Sequence, residues 1–201
     1  SVYPDKNTKE FGEIAVTTKK MQGIQQIDGI TYIDGVLIAN KTYALPRSYN
    51  PGGLTSETYN AFQSLVQAAA NDGYSLWNAS GFRSYETQEQ IYNNYVYTHG
   101  QATADTFSAR PGHSEHQTGL ALDINSTDGS MATSAEGLWL VEHCAEYGFV
   151  VRYPKGKEDI TGYMYEPWHI RYLGKDLAVT LTDAQLTLEE YFGLTSVYAE
   201  N

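Results

Sequence analysis

The sequence predicts an α+β fold, with a small antiparallel central sheet flanked by helices. Two segments carry most of that reading. TGLALDIN (118–125) and WHIRYL (168–173) both alternate apolar and polar residues with the period of a strand. The third observation is the order of the other segments, in which helical and strand-like stretches mix without strict βαβ alternation. A chain of 201 residues fits one domain with a substantial core.

The elements follow in chain order. Residues 1–26 are mixed polar and read as an N-terminal extension, leaving 27–201 as the folded domain. IDGI (27–30) and IDGV (33–36) set Asp-Gly pairs between apolar runs, which predicts a small β-hairpin. Pro46, Pro51, Gly52 and Gly53 mark a loop. A helix starts near Thr55 or Ser56 and ends before Gly73, with Tyr59, Phe62, Val66 and Ala69 on one face. YSLWNASGF (74–82) reads as a strand entering a loop. Ser84 caps a second helix, Glu86 suits its first turn, and Gly100 ends it. A short helix falls within 102–108 and a loop covers 109–118. A fourth helix spans about 134–147 and stops at Gly148. FVVRY (149–153) is a β-branched strand, PKGKEDITGY a loop, and one or two short helices close the chain after WHIRYL.

Composition narrows the function classes. Apolar residues make up 41% and charged residues 18%, a globular balance rather than a disordered one. Seventeen tyrosines suit wet, polar binding surfaces as well as cores. The net charge of −11, with no marked run of Lys or Arg, argues against nucleic acid and anionic membranes as partners. No apolar stretch approaches the roughly 20 residues of a membrane helix, and no signal peptide is expected within these residues. Because the chain starts at Ser1, the expectation is that an upstream signal or anchor has been removed. Cys144, the single cysteine, forbids an internal disulfide and reads as a buried helical thiol.

Asp123 sits between Leu122 and Ile124, in the middle of an apolar run. Alternation resolves this oddity: Leu120, Leu122 and Ile124 share one face, and Ala121, Asp123 and Asn125 the other. WHIRYL repeats the device, with Trp168, Ile170 and Tyr172 opposite His169 and Arg171. If the two strands are neighbours, Asp123 meets His169, and His116 can fold over both from the preceding loop. Two imidazoles and a carboxylate make a three-ligand zinc site whose fourth position stays open, the catalytic rather than the structural pattern. Glu166, three residues before His169, is placed to take a proton from water, and Pro167 fixes the backbone between them. The plainer reading makes Asp123 a strand-end cap and His169 a cross-strand partner. No HExxH is present. Gly112-His113-Ser114-Glu115-His116 misses the second glycine of a nucleophile elbow and precedes a strand, so a serine hydrolase is not supported.

Other residues attract quieter readings. His113 is a rim or surface histidine, His143 a structural one, and His99 suits a helix C-terminus. Arg110 either anchors the loop carrying His116 or is solvated. Tyr85 and Trp168 either wall a pocket or belong to the aromatic core.

SGFRS (80–84), SEHQTGLALD (114–123) and EPWH (166–169), in this order and at these spacings, resemble the VanY-like D-alanyl-D-alanine carboxypeptidases. These belong to a wider group of zinc peptidases that includes lysostaphin-type and hedgehog-type domains. The resemblance runs from about residue 30 to 175. It implies the hedgehog/DD-peptidase-like fold and one zinc ion per chain on His116, Asp123 and His169, with Glu166 as base. It further implies Arg83 beside the scissile carbonyl, and Ser114 and Gln88 in the substrate pocket. The implied substrate is a peptidoglycan stem peptide ending in D-alanine, met outside or on the surface of a bacterial cell. S-E-H-Q-T-G and S-Y-E-T-Q resemble the tetrapeptide-trimming members more closely, which favours an L,D-carboxypeptidase. A D,D-carboxypeptidase acting on pentapeptides, a peptidoglycan endopeptidase and a non-catalytic zinc-containing wall-binding module are the alternatives.

Overall fold

Both Asp-Gly pairs make turns. The computed structural model describes residues 23–200, so most of the expected N-terminal extension lies outside the described residues. Strands β1 (Gln25–Ile27), β2 (Ile30–Ile33) and β3 (Val36–Ile38) form an antiparallel meander, two hairpins rather than the single one expected. At each turn both central residues have positive φ, 52° and 78° for Asp28-Gly29 and 49° and 77° for Asp34-Gly35. That is the primed-turn geometry that matches strand twist.

Helix α1 (Ser56–Asn71) begins as expected, with the Thr55 hydroxyl accepting from the Thr58 amide. Its buried face is Thr58, Phe62, Leu65 and Ala69. The predicted stripe is thus rotated: Tyr59 is exposed and Val66 only half-buried. Thr58 turns inward because its hydroxyl bonds to that of Thr55, at 2.8 Å, while an exposed Tyr59 keeps its own hydroxyl in water. Strand β4 shrinks to Asn78–Ser80. Helix α2 (Tyr85–His99) is capped by Ser84 and ends at Gly100, and α3 is a single turn, Gln101–Ala104.

The loop expected over 109–118 contains a 3-10 turn at Glu115–Thr118, which leads through Gly119 into β5 (Ala121–Ile124). Gly119 has φ of 71°, and a Cβ there would sit 2.5 Å from the Gly53 carbonyl oxygen. Only glycine fits that approach. The fourth helix, α4, is regular over Ala135–His143 and continues as a 3-10 turn to Tyr147. Strand β6 (Phe149–Tyr153) follows, then α5 (Glu158–Thr161), a short helix within the expected loop. Strand β7 (Glu166–Tyr172), α6 (Lys175–Ala184) and α7 (Leu188–Phe192) complete the described chain.

The main sheet has the order β4-β5-β7-β6 and is antiparallel throughout. One face carries Leu122, Ile124, Phe149, Trp168 and Ile170 into a core shared with Phe62 and Leu65 of α1 and Trp139 and Leu140 of α4. A second cluster joins Ile33 and Ile38 of the meander to Val150 and to Ala178, Leu181, Leu188 and Phe192 of α6 and α7. Each wholly buried leucine in these clusters is worth about 2–5 kcal/mol against alanine. The other face of β5, β7 and β6 carries Asp123, His169, Arg171 and Arg152. A small sheet can bury these groups only if each finds a partner.

Candidate active site

β5 and β7 are adjacent and in register, with Asp123 opposite His169. Asp123 Oδ1 lies 3.1 Å from His169 Nδ1, and Asp123 Oδ2 lies 3.2 Å from His116 Nε2. His116 enters from the 3-10 turn, whose N-cap Ser114 accepts from the His116 amide at 3.2 Å. The two imidazoles meet edge to face, 5.0 Å between centroids. All three side chains are buried, and one ligand atom from each lies within 4.8 Å of the others.

These residues fit a divalent cation such as zinc. Two ligands on a tetrahedral zinc with bonds of about 2.1 Å are roughly 3.4 Å apart, close to both observed spacings. The outward ring nitrogens are also satisfied. His116 Nδ1 donates to the Gly81 carbonyl at 2.7 Å, and His169 Nε2 donates to Glu115 Oε1 at 3.1 Å. Each contact fixes a tautomer whose remaining lone pair points at the site. Burial opposes charge on His169, yet Asp123 and Glu115 on either side outweigh it and hold the ring up to about 9. Burial likewise opposes ionisation of Asp123, but His116 and His169 keep its carboxylate well below the usual range. A cation held between these groups would take the place of the proton that His169 Nδ1 otherwise shares with Asp123.

The site floors a cavity of about 670 Å³. Glu166 lines it, and burial pushes its carboxyl up to about 8. Arg83 also lines it, with Nη2 3.9 Å from Asp123 Oδ2, and its backbone amide donates to the His116 carbonyl at 3.2 Å. The SGFRS loop and the turn carrying His116 are thereby tied together. Ser114 and Gln88 border the same space. The Gln88 amide donates to the Ala109 carbonyl at 2.8 Å, and its buried oxygen has no hydrogen-bond partner among the described residues.

Of the two expected wall residues, Tyr85 stands elsewhere and Trp168 takes both of the roles open to it. Tyr85 does not line the cavity: its ring packs beside Gly112, with the Arg47 guanidinium 4.8 Å from its centroid. It opens α2 directly after the Ser84 cap and is half-buried there. Trp168 borders the cavity from β7 but is a member of the main core, on the face opposite His169. Gln117 and Thr118 are also absent from the lining. Gln117 donates to the carbonyls of Pro46 and Tyr49, and the Thr118 hydroxyl donates to the Glu115 carbonyl. They brace the turn.

The remaining candidates follow suit. His113 is bonded through Nδ1 to the Asn40 carbonyl at 2.7 Å, outside the cavity lining. Arg110 pairs with Asp105 at 2.9 Å and so anchors the loop before His116. Cys144 is buried.

Sequence reasoning missed Glu115, Arg152 and Tyr153. Glu115 is wholly buried and accepts from Arg152 Nε at 2.8 Å and Arg171 Nη1 at 2.9 Å as well as from His169. The Tyr153 ring stacks 4.8 Å from that of His169. A signal existed: FVVRY places an arginine inside an apolar strand, just as LALDI places an aspartate.

Comparison with known proteins agrees with this geometry. Residues 52–175 match the family model described as VanY, D-alanyl-D-alanine carboxypeptidase. The chain is 38% identical to YodJ of Bacillus subtilis, a carboxypeptidase by name, over 93% of this chain and 79% of that protein. It is 45% identical to a D-alanyl-D-alanine carboxypeptidase of Enterococcus faecalis over 64% of this chain and 52% of the relative. Among solved structures, the LD-carboxypeptidase LdcB superposes with a TM-score of 0.80 at 44% identity, covering 88% of this chain and 98% of that one. The vancomycin-resistance D,D-pentapeptidase VanY, solved with Zn(II), superposes with a TM-score of 0.68 at 36% identity over 77% of this chain and 96% of that one. A carboxylate and two imidazoles facing one cavity, Glu166 beside them and a family match across all of them lead to one conclusion: the chain belongs to the VanY family of D-alanyl-D-alanine carboxypeptidases.

Proposed function

We propose that this protein is a zinc L,D-carboxypeptidase that releases the terminal D-alanine from tetrapeptide stems of peptidoglycan. The observation that carries the carboxypeptidase reading is the meeting of His116, Asp123, His169 and Glu166 at the floor of one cavity. The L,D preference is supported by the more extensive likeness to LdcB and to the L,D-carboxypeptidase DacB from Streptococcus pneumoniae, 44% identical over 88% of this chain. VanY matches 36% over 77%. The runner-up, D,D-carboxypeptidase action on pentapeptides, draws on the 45% identity with the E. faecalis enzyme.

His116, Asp123 and His169 would hold the zinc. What zinc supplies when bound is Lewis acidity, which makes water a nucleophile near neutral pH and polarises a carbonyl. Glu166, its carboxyl raised by burial, takes the proton of the attacking water and passes it to the departing D-alanine amine. Arg83 turns its guanidinium towards the developing oxyanion, a contribution of a few kcal/mol. Ser114 and the partnerless oxygen of Gln88 offer polar contacts to the substrate end. Peptidoglycan stems are met at the cell wall, so we place the action outside the membrane. No helix among the described residues is long and apolar enough to cross one.

The test is competition between equimolar tetrapeptide and pentapeptide stems, following free D-alanine and both products. Faster loss of the tetrapeptide supports the L,D reading. Faster loss of the pentapeptide, with tetrapeptide accumulating untouched, reverses it. Cleavage inside the stem with no D-alanine released makes the protein an endopeptidase.

A further inference from the structure

A line of wholly buried charge runs from His169 to the C-terminal helix. Glu115 Oε1 accepts from His169 Nε2 at 3.1 Å. Glu115 Oε2 accepts from Arg152 Nε at 2.8 Å and from Arg171 Nη1 at 2.9 Å. Arg152 turns its other two nitrogens to the Glu189 carboxylate on α7, at 2.5 and 2.6 Å. Glu189 Oε2 also accepts from Asn40 Nδ2 at 3.1 Å, and Arg171 Nη2 donates to the Leu37 carbonyl at 2.7 Å. Two carboxylates and two guanidiniums balance, which is the condition for burying them together.

We propose that Glu115 is the positioning residue of His169, and that α7 holds it in place through Glu189 and Arg152. The inference rests on the zinc reading above. It extends the functional unit beyond residues 52–175, which match the family model, to Glu189 on a helix outside that range.

The physical argument is one of direction. A histidine that binds a metal through Nδ1 needs its proton on Nε2 and a fixed ring plane. Glu115 supplies the acceptor. Its second oxygen is occupied by two guanidinium groups, so the carboxylate cannot swing or take the imidazole proton. Arg152 in turn would be pulled wholly onto Glu115 without Glu189, drawing the carboxylate away from the ring. Tyr153, stacked on the His169 ring, closes the remaining side. Glu189 touches neither the ring nor the cavity, and its effect on the metal runs only through this line.

The experiment measures zinc affinity by competition with a chromogenic chelator, together with the visible spectrum of the cobalt(II)-substituted protein. The proteins compared are the parent, Glu115→Gln, Glu189→Gln and Leu188→Ala. Leu188 is buried on the same helix and belongs to the second apolar cluster, so its truncation loosens α7 without touching the charges. Glu115→Gln is expected to weaken zinc binding on the order of 10–100-fold and to shift the cobalt spectrum. Glu189→Gln is expected to weaken zinc binding less, and Leu188→Ala to lower the melting temperature while leaving zinc affinity and spectrum as in the parent. Zinc bound as tightly by Glu115→Gln and Glu189→Gln as by the parent overturns the proposal. So does equal weakening by Glu189→Gln and Leu188→Ala. If Glu115→Gln does not fold, the comparison of Glu189→Gln with Leu188→Ala decides alone. A parent that binds no zinc overturns the metal reading itself, a distinct result.

Discussion

Asp123 and His169 stand directly opposite each other on neighbouring antiparallel strands, with Oδ1 of one 3.1 Å from Nδ1 of the other. The pairing register therefore decides whether the site exists, because a one-residue slip would turn both side chains to the opposite face of the sheet. Elemental analysis of the parent is expected to find about one zinc per chain. His169→Ala and Asp123→Ala are each expected to lose zinc and activity together. Full occupancy and turnover in His169→Ala would remove that residue from the site.

Glu166→Ala separates base from ligand. Glu166 lies in the cavity but outside the trio of ligand atoms. The variant is expected to keep its zinc and lose about 10²–10⁴-fold in kcat. His113→Ala, whose ring bonds to the Asn40 carbonyl away from the cavity, should leave both nearly intact. Zinc lost from Glu166→Ala would make Glu166 a ligand and the proton-transfer role wrong.

Arg83→Ala is expected to cost on the order of 10²–10³-fold in kcat, the usual consequence of removing one group that stabilises an oxyanion. Zinc content should be unchanged, since the guanidinium is 3.9 Å from Asp123 and its backbone amide keeps the bond to His116. A rise in KM with kcat preserved would instead assign Arg83 to ground-state binding of the peptide.

Cys144 gives a pH test. Burial pushes its thiol up to about 12, so the thiolate that alkylating reagents attack is scarce at neutral pH and grows as pH rises towards that value. The native protein is expected to resist iodoacetamide at about pH 8 and to react fully once unfolded in guanidinium chloride. Rapid labelling of the folded protein, read by intact mass, would contradict the burial of this side chain.

The sequence by itself determined the strands that carry Asp123 and His169, because period-2 alternation is local and states which face each residue takes. It also determined the two Asp-Gly turns, the Ser84 cap and the Gly100 stop, since capping and turn chemistry act over three or four residues. The trio His116, Asp123 and His169, which the fold brings together, was suggested by the alternation and implied by the family resemblance. The face of α1 was read only in part: Phe62 and Ala69 are buried and Val66 packs against the core, but Tyr59 is exposed where Thr58 and Leu65 turn inward, a choice made by packing. Likewise, nothing local distinguishes Tyr85, which packs beside Gly112 and Arg47, from a pocket aromatic. Gln117 and Thr118 brace their turn without contacting the cavity, a role that a motif cannot separate from substrate contact. Only the tertiary structure decided that Glu115, Arg152, Arg171 and Glu189 form one buried line behind His169. Their partners lie 37 to 56 positions apart in the chain, and burial of charge is satisfied by proximity in space, which no local pattern encodes.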